Sequence, residues 1–210
     1  GGRIRATHVP PPLFILGVWR SGTTHLHNLF ARDDRFAFPT TFETFYPHTF
    51  LTTRRINGPL MAAAMPPTRP QDNVMMGIEE PQEDEFALCG MTGLSFTLSW
   101  AFPRSTHYAR YLTLRDATPE ERRRWQQALF AFVQKLTYKH GKPLVLKSPA
   151  HMGRIRLLLE LFPDAKFLHI HRHPFAVFKS TVHTARTVTK VWALQRYEPP
   201  DLEDVIFRQH

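Results

Sequence analysis

The chain has 210 residues, of which 42% are hydrophobic and 21% are charged. This length and composition suit one folded domain with a substantial core and exclude a disordered chain. No run approaches the roughly 20 apolar residues of a membrane span, and the start lacks the apolar stretch of a secretion signal. The net charge of +9 favours an anionic partner.

The cysteine count bears on the cellular compartment, and the distribution of charge bears on the binding partner. Cys89 is the single cysteine, so no intrachain disulfide can form and we expect a reducing, cytoplasmic compartment. Residues 122–197 hold 15 Lys or Arg residues and two acids, a net charge of +13. A solvated basic face explains that excess as well as a binding site does, so the motifs must decide between them.

The first predicted elements are a strand, a tight loop and a helix. Leu13-Phe14-Ile15-Leu16 is a short apolar run between Pro and Gly, which is typical of a strand buried on both faces. Residues 17–24 follow as a Gly-, Ser- and Thr-containing loop. Leu26, Leu29 and Phe30 then recur at helical spacing.

Residues 40–115 carry weaker signals of secondary structure. Met61-Ala62-Ala63-Ala64-Met65 lies among Pro and Gly residues and predicts a short helix inside a loop. The acidic run at residues 79–85 precedes Phe86, Leu88 and Met91. Because acids in a first turn interact favourably with the helix dipole, the run predicts a helix start.

The second half predicts alternating helices and strands. Thr118-Pro119-Glu120-Glu121 is a capping box with Pro at the first helical position, and Gly141 ends that helix. The elements that follow are a strand at 144–146, a helix from Ser148-Pro149, a strand at 165–171 and a helix from Pro174. We therefore predict an α/β fold: a P-loop-like parallel β-sheet flanked by helices on both faces, in a single domain over residues 1–210.

Cations and small donors follow all three predicted strands. The loop after the first strand contains Arg20, Lys147 follows the second strand, and Arg172 follows the third. Ligands of parallel α/β sheets bind beyond the carboxyl ends of the strands. Since a Gly-containing loop that leads into a helix also directs backbone N–H groups at an anion, we predict an anion site at this edge.

A metal-dependent nucleotide kinase or hydrolase is one candidate for such a site. Gly17 and Gly22 have the spacing of its phosphate loop, and Thr24 occupies the metal-binding hydroxyl position. Thr23, however, stands where the lysine belongs, Arg20 lies inside the loop, and no acid follows a strand to hold magnesium. The pattern suits transfer of a group that needs no metal.

Three alternating histidines, His169, His171 and His173, form a second candidate for metal binding. No Cys or acid with ligand spacing accompanies them. We therefore expect them to pack one face of the sheet, and we predict no metal site.

Two motifs resemble those of sulfotransferases that use 3′-phosphoadenosine 5′-phosphosulfate. Arg20-Ser21-Gly22-Thr23-Thr24 after a short strand is similar to the family's 5′-phosphosulfate loop, in the form of bacterial, tyrosylprotein and Golgi enzymes. His171-Arg172-His173-Pro174, with Ser180 eight residues after Arg172, is similar to the family's second motif. The resemblance covers residues 13 to about 190 and implies sulfuryl transfer to a hydroxyl by in-line displacement.

The resemblance also implies a role for each motif residue. The 5′-phosphate and the sulfuryl oxygens would be bound by Arg20, Ser21, Gly22, Thr23 and Thr24. Arg172 and Ser180 would bind the 3′-phosphate, and Lys147 is similar to a family lysine that reaches the bridging oxygen, where charge develops.

The base that accepts the acceptor proton has two candidates. The tyrosylprotein and related bacterial enzymes use a Glu about twenty residues after the loop, the region of Glu43, whereas cytosolic sulfotransferases use a His just after the second strand, the region of His151. We favour Glu43 because the loop has the Arg form. Cations around that carboxylate would lower its pKa, so catalysis would depend on its position more than on its basicity.

Three further expectations concern partners and the chain end. The acceptor would be a small molecule, glycan or peptide with a hydroxyl, and not a nucleic acid. A non-catalytic polyanion-binding protein that uses residues 122–197 is the alternative outside enzymes. Family members usually continue to a basic, Gly-containing segment that closes over the nucleotide. The stretch after Tyr197-Glu198-Pro199-Pro200-Asp201 contains no obvious equivalent, so we expect that segment to be lacking.

Overall fold

The structure is a computed structural model, and it describes residues 2–72, 74–196 and 206. In chain order the elements are α1 (Gly2–Arg5), β1 (Leu13–Leu16), α2 (Thr23–Phe30), α3 (Thr41–Phe45), α4 (Phe50–Ala64), α5 (Asp84–Thr92), α6 (Leu98–Ala101), a 3₁₀ helix (His107–Tyr111), α7 (Pro119–His140), β2 (Val145–Lys147), a second 3₁₀ helix (Pro149–Gly153), α8 (Ile155–Leu161), β3 (Lys166–His169) and α9 (Pro174–Trp192).

The three strands form one parallel sheet in the order β2-β1-β3. Leu13 pairs with Val145 on one side and with Lys166 on the other, so β1 is the central strand. Phe14 and Ile15 are completely buried, as expected for a parallel strand that is covered on both faces. The prediction of a single-domain α/β fold with a parallel, helix-flanked sheet is confirmed.

Helix α7 supplies much of the core and has the ends that its sequence predicts. The predicted stripe of Trp125, Leu129, Phe132 and Leu136 is completely buried. Thr118 and Glu121 form the reciprocal capping box at the start, and Gly141 adopts a left-handed conformation with φ of 65° at the end. These local signals were sufficient because each cap is satisfied within its own turn.

The prediction of a short helix within a loop at residues 61–65 is wrong. Those residues form the last turn of α4 and the residue after it, and α4 is 15 residues long and runs through Pro59. Pro59 lies in the third turn of this helix, yet the helix continues to Ala64 and packs against α3. Pro59 and the neighbouring Gly58 obscured the helical pattern because both residues are poor helix formers.

Strand β3 is shorter and more exposed than predicted. It comprises Lys166–His169 and lies at one edge of the sheet. His169, His171 and His173 are exposed, so the expectation that they pack a sheet face is wrong. His169 ends this edge strand, and His171 and His173 follow it. The part of the chain that the structure describes contains no cluster of His, Cys, Asp and Glu suited to metal binding, and no helix long and apolar enough to cross a membrane.

The expectation of a missing nucleotide-closing segment concerns the end of the chain. Its residues, Tyr197-Glu198-Pro199-Pro200-Asp201 and those after them apart from Ile206, lie outside the described residues. The expectation stays a prediction. The site described below is built from elements between β1 and α9.

Candidate functional site

The loop between β1 and α2 is a tight turn whose shape depends on close backbone contacts. A Cβ atom added to Gly17 would lie 2.6 Å from Ser21 Oγ and 2.8 Å from the Ile170 carbonyl oxygen. Gly22 is the N-cap of α2, with φ of 104°, and Arg20 also has positive φ, at 68°. Because a non-glycine residue in this region is strained, Arg20 is held there by the surrounding structure, and such strain concentrates at functional sites.

Ser21 stabilises this loop through hydrogen bonds within the loop itself. It is buried, and its hydroxyl donates a 2.7 Å hydrogen bond to the Val18 carbonyl. The Ser21 amide bonds to the same carbonyl at 3.2 Å. The hydroxyl that the sequence assigned to an anion therefore has a structural partner here, whereas the amides of Thr23 and Thr24 lie in the first turn of α2, where helix N–H groups lack intrahelical acceptors.

The two sequence motifs meet at Arg20. Its Nε donates a 2.8 Å hydrogen bond to Oγ of Ser180, which lies on α9, and Nη1 of Arg172 lies 3.4 Å from the Arg20 carbonyl oxygen. Arg20 and Ser180 are 160 residues apart in the chain. The tertiary structure thus brings together Arg20, Arg172 and Ser180, as the parallel sheet predicts for residues beyond the same strand ends.

Asp72 is a partner of the loop that the sequence analysis did not identify. Its Oδ2 lies 2.9 Å from Arg20 Nη1, and its Oδ1 lies 3.3 Å from Arg69 Nε. Burial opposes ionisation of Asp72, but the Arg20 hydrogen bond and the Arg69 charge outweigh it and lower the pKa of Asp72. The guanidinium of Arg20 is therefore neutralised by a carboxylate 52 residues away.

Lys147 is almost completely buried at the tip of β2, with 2% exposure. Its Nζ lies 2.6 Å from Oε1 of Glu83 and 3.4 Å from Oγ1 of Thr24. A buried ammonium requires a counter-charge, and Glu83 provides it. Lys147 is thus placed between the phosphate-loop helix and a carboxylate, and the sequence did not associate Glu83 with it.

Glu83 belongs to a series of three side-chain contacts between two segments. Glu83, Asp84 and Glu85 contact, in the same order, the basic residues Lys147, His151 and Arg154. The sequence interpretation of this acidic run as a helix start is confirmed, because Asp84 and Glu85 lie in the first turn of α5. It is incomplete, because the basic residues at 147, 151 and 154 lie close together in the chain and indicated a second segment that could pair with the acidic run.

Glu43 lies in the N-terminal turn of α3, and other residues of the protein bind both of its carboxylate oxygens. Its Oε2 accepts the Thr40 amide at 2.8 Å, and its Oε1 lies 2.5 Å from Lys139 Nζ and 2.9 Å from His140 Nε2. The side chain is completely buried. Burial opposes ionisation, but the hydrogen bonds from His140, Lys139 and Thr40 outweigh it and lower the pKa of Glu43. Both carboxylate oxygens are thus engaged by the C-terminal turn of α7 and the cap.

His151, the second candidate base, is also completely buried. Its Nε2 lies 2.8 Å from Asp84 Oδ2, and its ring packs edge-on against Phe14 with centroids 5.3 Å apart. Burial raises the pKa of Asp84, but the charge and hydrogen bond of His151 outweigh this and lower it. The structure therefore brings neither Glu43 nor His151 to the surface next to Lys147.

A small polar cleft opens beside Lys147 and Thr24. Its wall is completed by the segment that carries the acidic run, since Thr41 N donates to the Glu80 carbonyl and Gln82 N to the Pro39 carbonyl, each at 2.9 Å. The residues that line it are Thr24, Asn28, Thr41, Arg69, Val74, Met75, Met76, Glu80, Pro81, Gln82 and Lys147. A molecule in this cleft would contact both the loop helix and the ammonium of Lys147.

Comparison with known sequences identifies relatives of this chain. The model of the sulfotransferase family matches residues 11–209. The chain is 41% identical over 209 residues to an omega-hydroxy-beta-dihydromenaquinone-9 sulfotransferase of Mycobacterium bovis and, equally, to that of Mycobacterium tuberculosis. The match covers 98% of this chain and 53% of each relative. The chain thus spans about half the length of the curated relatives that it matches.

Solved structures share the fold. Sulfotransferase STF9 from Mycobacterium avium superposes with a TM-score of 0.73 at 20% identity, over 99% of this chain and 55% of the other. Sulfotransferase STF1 from Mycobacterium tuberculosis H37Rv superposes with a TM-score of 0.71 at 16% identity, over 99% of this chain and 57% of the other. At these identities the likeness concerns the fold.

Proposed function

Because the chain belongs to the sulfotransferase family, we propose that the protein transfers a sulfuryl group from 3′-phosphoadenosine 5′-phosphosulfate to a hydroxyl acceptor. The observation that carries this proposal is the 2.8 Å hydrogen bond between Arg20 and Ser180. It joins the loop expected to bind the 5′-phosphosulfate to the residue expected to bind the 3′-phosphate. A donor with phosphates at both positions matches a site that unites two anion-binding motifs.

The chemistry of the side chains fits such a donor. Arg20, Lys147 and Arg172 supply positive charge at one sheet edge, and the first-turn amides of α2 supply N–H donors. In the structure, Asp72 and Glu83 neutralise two of these cations. A phosphosulfate would replace those carboxylates as the counter-charge of Arg20 and Lys147. Arginine suits this role because its planar fork can bind two oxygens at once.

Each residue then has a distinct task in transfer. Arg20 and the amides of Gly22, Thr23 and Thr24 hold the 5′-phosphate and the sulfuryl oxygens. Arg172 and Ser180 hold the 3′-phosphate and orient the nucleotide. Lys147 donates to the bridging oxygen and stabilises the negative charge that develops there as the S–O bond breaks, which is electrostatic catalysis by a preorganised group.

The cleft beside Lys147 is the proposed place of the acceptor. Its wall combines polar groups with Val74, Met75, Met76 and Pro81, so it suits a hydroxyl on a partly apolar molecule. The name of the mycobacterial relative gives a hydroxylated dihydromenaquinone. We propose an acceptor of that chemical class, a hydroxylated small molecule with an apolar body, over the glycan or peptide alternatives.

Calorimetry with two nucleotides tests the proposal. We expect 3′-phosphoadenosine 5′-phosphate to bind at least about 10-fold more tightly than AMP, since a charged hydrogen-bonded group contributes roughly 1.5–3 kcal/mol. Equal affinities would contradict the proposed donor. Turnover that EDTA abolishes and magnesium restores would instead support the kinase or hydrolase alternative, and salt-sensitive polyanion binding that Arg172→Ala leaves unchanged would support the non-catalytic one.

A further inference from the structure

Glu83 is the carboxylate that the fold places against Lys147. Its Oε1 lies 2.6 Å from Nζ, and Thr24 Oγ1 lies 3.4 Å from the same nitrogen. Glu83 therefore lies beside the point where, under the proposed function, the sulfuryl group leaves its donor. Neither the motifs nor the helical pattern of the sequence associates Glu83 with that point.

The backbone holds Glu83 in this position. It is the N-cap of α5, and the preceding residues are tied to the start of α3 and the segment before it by hydrogen bonds from Thr41 N to Glu80 O and from Gln82 N to Pro39 O. Thr40 and Pro81 also form an antiparallel bridge. A catalytic group must be held close to its productive geometry, and these bonds on rigid elements supply that constraint.

Two other carboxylates near the cations have both oxygens engaged, and a third, Asp84, has a free Oδ1 but is completely buried. Asp72 binds Arg20 through Oδ2, and its Oδ1 contacts Arg69 and the Val74 amide. Glu43 has both oxygens engaged, and Asp84 is completely buried against His151.

Glu83 differs from these carboxylates because it combines a free carboxylate oxygen with a partly exposed side chain. Its Oε1 binds Lys147, its side chain keeps 13% exposure, and within residues 2–72, 74–196 and 206 its Oε2 accepts no hydrogen bond. Glu83 thus retains a free oxygen beside Lys147, and Lys147 lines the cleft.

We propose that Glu83 is the general base of sulfuryl transfer, a proposal that rests on the proposed function. The acceptor hydroxyl transfers its proton to Oε2 of Glu83 while its oxygen forms a new bond to sulfur. The bond between sulfur and the bridging oxygen breaks, and its electron pair stays on the leaving 5′-phosphate, which Lys147 neutralises. General bases of this kind contribute roughly 10²- to 10⁴-fold to the rate.

The Lys147–Glu83 pair also couples donor binding to the base. Without a donor, Lys147 is buried and has Glu83 as its counter-ion. The donor brings negative charge to the same ammonium, so Lys147 is shared and the carboxylate becomes available to the acceptor. Removing the charge of Glu83 leaves Lys147 free for the nucleotide, and it also removes the repulsion between two anions.

The experiment compares Glu83→Gln with wild type in two measurements. For turnover the probes are the phosphosulfate donor and an omega-hydroxylated, short-chain menaquinone. We expect kcat to fall at least about 100-fold and the acid limb of the kcat pH profile to disappear. For binding the probe is 3′-phosphoadenosine 5′-phosphate in calorimetry, and we expect equal or tighter affinity. Glu79→Gln is the matched control, since Glu79 belongs to the same acidic run, is 60% exposed and pairs with Arg54.

The outcomes separate the two proposals. If wild type binds 3′-phosphoadenosine 5′-phosphate no better than AMP, the proposed function fails and this inference fails with it. If wild type turns over and Glu83→Gln keeps a kcat within about threefold, or binds the nucleotide more than about threefold weaker, the base assignment alone is overturned. If Glu83→Gln does not fold, Glu83→Asp provides the same test: it keeps the charge but retracts it by one methylene, so kcat must fall without loss of the acid limb.

Discussion

Arg20 Nε donates a 2.8 Å hydrogen bond to Ser180 Oγ across 160 residues of chain. This contact exists because β1 and β3 are adjacent parallel strands, so the loop after one strand and the helix after the other begin at the same edge of the sheet. Ser180 therefore contacts the loop through protein atoms alone.

Ser180→Ala and Arg172→Ala should weaken binding of 3′-phosphoadenosine 5′-phosphate by about 10- to 100-fold and leave AMP binding within about threefold, because each loses a hydrogen bond to a charged group. Isothermal titration calorimetry with both nucleotides measures this. Arg156→Ala is a matched control, since Arg156 is exposed on α8. An equal loss for AMP would show that the substitutions disturb the loop and not the 3′-phosphate site.

Glu43→Gln should destabilise the fold by about 2 kcal/mol, because it weakens the hydrogen bonds of a buried carboxylate with the partly exposed Lys139 and His140. Since the folded-state pKa of Glu43 is lowered from 4.5, its contribution is present above about pH 4.5 and is lost as the pH falls through the folded-state pKa. Urea unfolding at pH 7 and pH 4 checks both points. A kcat loss of about 100-fold in a stably folded variant would restore Glu43 as the base.

His27 should make the protein less stable in mild acid. Burial, and then the charge of Lys147, lower the pKa of His27 from 6.5 to about 3. Because the unfolded state binds this proton first, the free energy of unfolding should fall by about 2 kcal/mol between pH 7 and pH 5. Denaturant unfolding at both values measures the loss, and His27→Gln should reduce it. NMR titration that shows His27 protonating near its ordinary pKa would contradict the prediction.

Arg154→Met should lower the free energy of unfolding by about 3–5 kcal/mol, because it leaves Glu85 charged and buried. Both side chains are completely buried, with Nη1–Oε2 at 2.5 Å and Nη2–Oε1 at 3.2 Å. The double variant Arg154→Met/Glu85→Gln should recover part of the loss, since no charge is then left unpaired. Thermal unfolding of wild type, the two single variants and the double variant gives the coupling free energy between Arg154 and Glu85. Additive losses of stability would argue against a coupled pair.

Some features of the fold could be predicted because their causes are local. The capping box of Thr118 and Glu121 is satisfied within one helical turn, and Leu13–Leu16 is apolar because parallel strands are buried on both faces. The prediction failed where Gly58 and Pro59 suggested a loop, because α4 runs through both residues to Ala64.

The sequence by itself determined the strand-loop-helix pattern, the two spaced motifs and the cations at the strand ends, since residue type and short spacing encode each of them. Only the tertiary structure decided which carboxylate each cation meets. Glu43 has the position in the sequence expected of a base, yet it packs against α7, while Glu83 meets Lys147 from 64 residues away. The reason is physical: a buried charge takes whichever counter-charge the packed chain brings within about 4 Å, and spacing in the sequence does not specify that distance.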